Sequence, residues 1–174
     1  MCGILYVEKN AHEKRRRTME KVLNIAAHIA QGYFSEYGQQ IDEMKLHKLM
    51  YFAQRESIIQ TGEPLFNATF YGWKYGPILK EIRSAYKDGS FIKIMPKKFI
   101  RDCSQILKKV LEEYAGKDSW SLSRLTHGEI SWKNSRIGIP EEENSDNPMS
   151  LEDIIADAER IKSRRKMLNG LGLA

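Results

Sequence analysis

The residue types that most often bind metals or act as nucleophiles are few and scattered in this chain. Its four histidines lie far apart in the sequence: His12, His28, His47 and His127. Zinc and iron sites need several histidine, cysteine or carboxylate side chains at ligand spacing, and no HxxxH or HExxH pair occurs here. Cys2 and Cys103 show no CxxC spacing, and we interpret Cys103 as a small hydrophobe on a buried helix face. The sequence therefore predicts no metal site and no cofactor.

Catalytic motifs are equally sparse. Residues 1–4, MCGI, resemble the start of N-terminal-nucleophile glutamine amidotransferases, in which removal of methionine exposes a cysteine whose own amine serves as the base. Leu5 replaces the next glycine of that motif, and the chain is too short and too helical for that layered sheet fold. The sequence contains no GxSxG, P-loop or GxGxxG motif. We therefore expect no catalytic residues and a protein that is not an enzyme.

Two basic clusters could contact phosphate groups. They comprise residues 14–17 and 160–166, in a chain whose net charge is +5. The arginines that would bind nucleic acid are Arg15, Arg16, Arg17, Arg164 and Arg165. No groove-reading motif accompanies this charge, so solvated helix ends are the favoured interpretation. A nucleic-acid-binding regulator that acts on its own operator DNA is the alternative.

Several aromatic residues lie in connecting segments rather than in helical stripes: Trp73, Tyr75, Trp120 and Trp132. Such residues could cover the core beneath long loops. They could also anchor a protein partner, because tryptophan and tyrosine dominate the energetics of protein interfaces. From the sequence alone, the two interpretations are equally well supported.

Apolar residues recur at helical spacing along most of the chain and predict the elements that position these side chains. We expect a first helix that ends near Gly38, a second capped by Asp42, and a third begun by Gly76-Pro77 with proline in its first turn. Further helices are predicted at about 99–114, 118–127 and 150–166, with short strands within 63–76 and at 91–95. The prediction is a mainly α fold, a compact single-domain bundle of five to six helices with at most a short β-hairpin.

Length and composition fit one domain. The 174 residues include 41% hydrophobic residues, enough for a packed core. We expect an N-terminal extension over 1–17, a helical domain over 18–166 with a mobile loop at 128–149, and a flexible tail over 167–174. The sequence has neither the roughly 20 apolar residues of a membrane span nor the charge order of a signal peptide, so we expect a cytoplasmic protein without membrane contact.

Three segments, in order, resemble one known family. Residues 45–54, KLHKLMYFAQ, are similar to its hallmark helix KLQKLLYYAQ. Residues 62–77 resemble its G-x-PLF…F-x-AWxYGP stretch, and 122–132 resemble LSxLTH…PW. This family is that of the SocA-like, or Panacea-domain, antitoxins, which includes phage-associated, GepA-like proteins. The chain departs from the family pattern at His47, Gly72 and Ser131, which bears on partner choice rather than on the fold.

The resemblance implies an antitoxin that binds and silences a co-encoded toxin. It also implies an alternative role as an adaptor that delivers the toxin to an AAA+ protease, and the apolar tail residues 171–174 could be read by such a protease. Most motif residues fit a scaffold role, and the sequence leaves homo-oligomer formation open. The candidate partner-binding residues are Lys48, Tyr51, Trp73, Tyr75, His127 and Trp132.

Overall fold

A computed structural model describes residues 2–88 and 97–173. For residues 2–12, 15 and 97–101 it describes the backbone only. The described chain forms seven α-helices and one β-hairpin. Their bounds, in chain order, are α1 (Cys2–Tyr37), α2 (Glu43–Thr61), β1 (Phe70–Trp73), β2 (Gly76–Leu79), α3 (Lys80–Lys87), α4 (Lys97–Val110), α5 (Ser119–His127), α6 (Ile130–Ser135) and α7 (Leu151–Gly170). A π-helical turn, Leu111–Ala115, extends α4. The mainly helical fold with a short hairpin is confirmed.

Helix α2 is the centre of the fold. Asp42 caps its start by accepting a hydrogen bond from the Lys45 backbone N–H at 2.8 Å, as the sequence predicts. Gly62 ends it in a left-handed conformation with φ of 78°, which glycine adopts without steric cost. The helix packs against α1, α4, α5, α7 and the hairpin. Every residue from 45 to 58 is therefore buried, polar side chains included.

The β-hairpin corrects the prediction that Gly76-Pro77 begins a helix. The two residues start β2, which pairs antiparallel with β1 in the register Trp73↔Gly76 and Gly72↔Pro77. Helix α3 begins only at Lys80. The φ of Gly76 is 106°, a value that suits the tight turn after Tyr75 and not a helix. Pro77 is tolerated because β2 is an edge strand, where a missing N–H need not interrupt a sheet.

The segment 128–149 matches the predicted exposed loop only in part: most of 137–148 is exposed and lies outside the helices, but the segment is also tied to the fold. It contains α6, whose first backbone N–H groups, at Ile130 and Ser131, donate to the Asp157 carboxylate of α7 at 2.7 and 3.0 Å. Further along, Arg136 donates to the Gly72 carbonyl at 2.9 Å. The buried Met149 donates its N–H to the Phe70 carbonyl at 2.8 Å. The segment is therefore bonded to the hairpin and to α7 along its length.

A buried polar network joins α2 to the helices around it. The Arg55 guanidinium pairs with the Glu129 carboxylate and donates to the Tyr114 hydroxyl at 2.8 Å. Arg160 of α7 pairs with the other oxygen of Glu129 at 2.9 Å. Despite these two arginines, burial raises the pKa of Glu129 to about 7. Because ion pairs inside a protein are costly to break, this network fixes α2 against α7.

The two chain ends are more helical than predicted. Helix α1 begins at Cys2, within the predicted extension, and α7 continues to Gly170, within the predicted tail. Ser150 caps α7 by accepting from the Asp153 N–H, as predicted, and Cys103 is buried. The strand predicted at 91–95 lies outside the described residues. Among the described residues, no helix combines the length and the apolar character that crossing a bilayer requires.

Candidate partner-binding site

A surface cavity of about 520 Å³ lies between the N-terminal half of α2, the hairpin and α3. We call it the Lys48 cavity. Three of the predicted partner-binding residues, Lys48, Trp73 and Tyr75, meet in its wall. The complete lining consists of Glu43, Met44, His47, Lys48, Trp73, Lys74, Tyr75, Gly76, Ile78, Arg83, Glu142 and Asn144.

Lys48 is only 1% exposed although it carries an ammonium group. Its Nζ donates to the Pro77 carbonyl oxygen at 3.3 Å. Burial lowers the pKa of Lys48 to about 7, and the carboxylates of Asp42 and Glu43 oppose that shift only in part. The Lys48 ammonium thus loses its hydration against β2, and one carbonyl oxygen at a long distance is its only hydrogen-bond acceptor there.

Gly76 explains how the hairpin comes so close to this lysine. A Cβ at this position would lie 2.6 Å from Lys48 Cε and 2.5 Å from Thr126 Oγ1. Both distances are below van der Waals contact, so only glycine fits between α2 and α5 here. Since the φ of Gly76 is also 106°, both backbone and space demand glycine.

His47, beside Lys48, is a neutral donor. Its Nδ1 accepts a hydrogen bond from the Leu79 backbone N–H at 3.3 Å, so in the neutral ring Nε2 carries the proton. Burial lowers the pKa of His47, and the Glu43 carboxylate only partly offsets this. Nε2 lies 3.6 Å from Glu43 Oε1, too far for a hydrogen bond, and it has no other hydrogen-bond partner.

The remaining charges of the cavity are paired with each other. Arg83 donates to Glu43 at 2.9 Å, and Lys74 pairs with Glu142. Arg83 also lies over the Trp73 ring, 4.7 Å from its centroid. The Trp73 indole N–H is buried and has no hydrogen-bond partner.

Exposed aromatic rings stand at the edge of the cavity. Tyr75 is 43% exposed and meets Trp120 of α5, 57% exposed, in an edge-to-face contact with ring centroids 5.2 Å apart. We call this pair the aromatic edge. Two large rings left in solvent beside a cavity are typical of interaction surfaces, because their burial would be favourable.

The other three candidates hold the fold behind the cavity. Tyr51 is fully buried and donates to Asp157 at 3.1 Å, so it lies in the core. His127 stacks on Trp132 with ring centroids 3.9 Å apart, and the Trp132 indole N–H donates to the Trp73 carbonyl at 2.9 Å. Burial, followed by the charge of Lys48, lowers the pKa of His127. These contacts anchor the hairpin to α5 and α6.

The arginines proposed for nucleic-acid contact have different surroundings. Arg16 and Arg164 are exposed, and Arg17 pairs with Glu13. Arg165 is engaged by Glu56 at 2.7 Å and Glu113 at 3.0 Å, so its charge is already balanced. The side chain of Arg15 lies outside those described. Nucleic-acid binding by these five arginines stays a prediction.

Sequence reasoning missed several residues of the cavity. Glu43 and His47 lie four residues apart on α2, a spacing that could have indicated contact between them. Arg83 reaches the cavity only because the hairpin turns α3 back toward α2, which no local pattern reveals. The one available signal for Lys48 was a lysine within a helix that is apolar over a broad arc.

Comparison with known protein families finds a match to one family. The family model described as "Antitoxin SocA-like, Panacea domain" matches residues 46–133, half of the chain. The matched range begins within α2, ends within α6 and includes both the hairpin and the aromatic edge. No curated protein and no solved structure shows significant similarity to the chain.

Proposed function

Because the chain belongs to the family of SocA-like antitoxins with a Panacea domain, we propose that it neutralises a co-encoded toxin by binding it directly. The match over residues 46–133 is the observation that carries this proposal. The role requires recognition and no catalysis, so the protein acts as a binding module. Delivery of the toxin to a protease stays a prediction.

The surface features of the matched range support the proposal. The aromatic edge, Tyr75 and Trp120, offers two exposed rings next to a cavity. Tyrosine and tryptophan are the side chains that most often carry protein-binding energy. Both rings extend from rigid elements, a tight hairpin turn and the first turn of α5, so little entropy is lost when they are covered.

Co-expression with the adjacent gene tests the proposal. If that gene product arrests growth, the wild-type chain should restore growth and co-purify with it. The double variant Tyr75→Ala/Trp120→Ala should restore growth less well and weaken the complex by on the order of 100-fold, as for the loss of a central aromatic anchor.

A matched control is Met167→Ala on α7, which also truncates an exposed hydrophobic side chain, 59% exposed. It should rescue growth as well as the wild type. A toxic neighbour that the wild-type chain neither binds nor silences would refute the proposed function. Full binding by the double variant would instead place the interface elsewhere.

A further inference from the structure

Among the buried polar side chains of α2, Lys48 has an unusually poor set of partners. Lys45 donates to the Tyr33 hydroxyl at 3.2 Å and to the Ala115 carbonyl at 3.1 Å. Arg55 faces the Glu129 carboxylate, and Glu56 faces Lys109 and Arg165. Lys48 has a single carbonyl at 3.3 Å. Buried charges in proteins are normally paired, so Lys48 lacks a counter-ion that something else could supply.

The charged side chains that line the Lys48 cavity sum to one excess positive charge. Its lining holds three cationic side chains, Lys48, Lys74 and Arg83, and two carboxylates, Glu43 and Glu142. Lys74 and Arg83 each pair with one of those carboxylates. Within the lining, the remaining charge therefore belongs to Lys48. Asp42, outside the lining, acts on Lys48 only through space and makes no hydrogen bond to it, so a carboxylate in contact with Lys48 would be its first direct counter-ion.

Two donors of the cavity also lack an acceptor. The Trp73 indole N–H and the His47 Nε2–H are both buried without a hydrogen-bond partner. Unsatisfied buried donors destabilise the fold, so a ligand that accepts hydrogen bonds from them would relieve that cost. A carboxylate has two acceptor oxygens and one negative charge. It matches both the donors and the charge.

We infer that the Lys48 cavity binds the carboxylate of an aspartate or glutamate side chain of the protein partner, with Lys48 as the charged donor. The inference rests on the proposed function for the existence of a protein partner. A volume of about 520 Å³ accommodates an acidic side chain, and the aromatic edge lies where the flanking residues of the partner would pack. A phosphate group, with about −1.5 to −2 charges at neutral pH, would leave excess negative charge beside Glu43 and Glu142.

A pair of small probes tests the chemistry without the toxin. N-acetyl-glutamate methylamide and its glutamine analogue differ only in charge and hydrogen-bonding capacity. They are titrated into the full chain labelled with ¹³C-lysine, and the Lys48 ε-methylene signal is assigned from Lys48→Met. The glutamate probe should shift that signal saturably, the glutamine probe should not, and the Lys45 signal should stay in place.

Three results would overturn the inference. They are an unmoved Lys48 signal, equal shifts with both probes, or tighter binding of inorganic phosphate than of the glutamate probe. Since no toxin is present, each of these outcomes is independent of whether the proposed function holds.

The affinity of the chain for the toxin provides a second test. Lys48→Met should weaken it by on the order of 10- to 100-fold, the usual effect of losing a buried hydrogen bond to a charged group. Lys45→Met removes a buried lysine one turn earlier on the same helix, whose Nζ bonds to Tyr33 and Ala115 and not to the hairpin, and it should leave affinity unchanged. One Asp→Asn or Glu→Gln change in the toxin should cause the same loss, and combining it with Lys48→Met should cost little more. If every such pair is additive, the carboxylate does not enter this cavity.

Discussion

Replacing Lys48 with methionine should make the free protein more stable at neutral pH. Methionine keeps the length and most of the volume of the lysine stem but removes the charge. The pKa of Lys48 falls from 10.5 to about 7 on folding, so its ammonium form is disfavoured in the native state. At about 1.4 kcal/mol per pKa unit, the difference corresponds to on the order of 4–5 kcal/mol at low pH.

The effect must depend on pH in a defined direction. Below about pH 7 both folded and unfolded chains hold the proton, and the full cost of burial remains. Between pH 7 and 10.5 only the unfolded chain holds it, so the free energy of unfolding of the wild type rises with pH. The variant has no such group and lacks this contribution. Its advantage over the wild type should therefore shrink as the pH rises.

The hydrogen bond from Lys48 to the Pro77 carbonyl is lost in the variant, at a cost of about 1 kcal/mol. The net gain expected at neutral pH is then on the order of 3 kcal/mol, falling to about zero near pH 10. Urea unfolding of both proteins at half-unit steps from pH 7 to pH 10 measures the difference directly. Taking this difference cancels the titration of other groups that the two chains share.

Lys45→Met is the control, because it removes two hydrogen bonds from a lysine of the same helix and should only destabilise. A Lys48→Met variant that is less stable than the wild type at neutral pH would refute the reasoning. So would a stability difference that does not change with pH, since the buried ammonium would then cost nothing.

Three further substitutions test other parts of the structure. Arg55→Met should lower the free energy of unfolding by on the order of 3 kcal/mol, because it leaves the buried Glu129 with one arginine fewer; a loss below about 1 kcal/mol in urea unfolding would contradict this. Gly76→Ala should destabilise by more than about 2 kcal/mol, since φ there is 106° and its Cβ would meet a hydroxyl at 2.5 Å. Gly138→Ala, with a φ of 78° and nothing within 4 Å of its Cβ, should cost only about 1 kcal/mol. Equal thermal shifts of the two variants would show that close packing does not demand glycine at position 76. Trp120→Ala should change stability by less than about 0.5 kcal/mol and yet weaken toxin binding, and a large loss of melting temperature would show that the ring is structural.

Local signals in the sequence were sufficient for two helix starts. Asp42 and Ser150 cap α2 and α7 as predicted, because a cap is satisfied by backbone within three residues. The start of α6 was missed because its N–H groups are satisfied by Asp157, which lies 26 residues or more away in the chain. Gly76-Pro77 was misinterpreted for a related reason. The pair suits both a helix start and an edge strand, and only the pairing with β1 decides between them.

The same contrast between local signals and long-range contacts holds for the candidate site. The sequence named Lys48, Trp73 and Tyr75, and these residues line one cavity. It could not separate them from Tyr51, because both Lys48 and Tyr51 lie in the buried stretch 45–58 of α2. What distinguishes them is the partner set: Tyr51 meets a serine and an aspartate, whereas Lys48 meets one carbonyl. Such partner sets depend on contacts between distant elements, which one sequence does not display.

The most direct test of the central claim is the affinity between the purified chain and the protein encoded beside its gene, measured by calorimetry. We predict a stable complex of defined stoichiometry whose affinity drops in the Tyr75→Ala/Trp120→Ala variant. A neighbouring protein that arrests growth but shows no heat of binding and no co-elution with the wild-type chain at micromolar concentrations would contradict it.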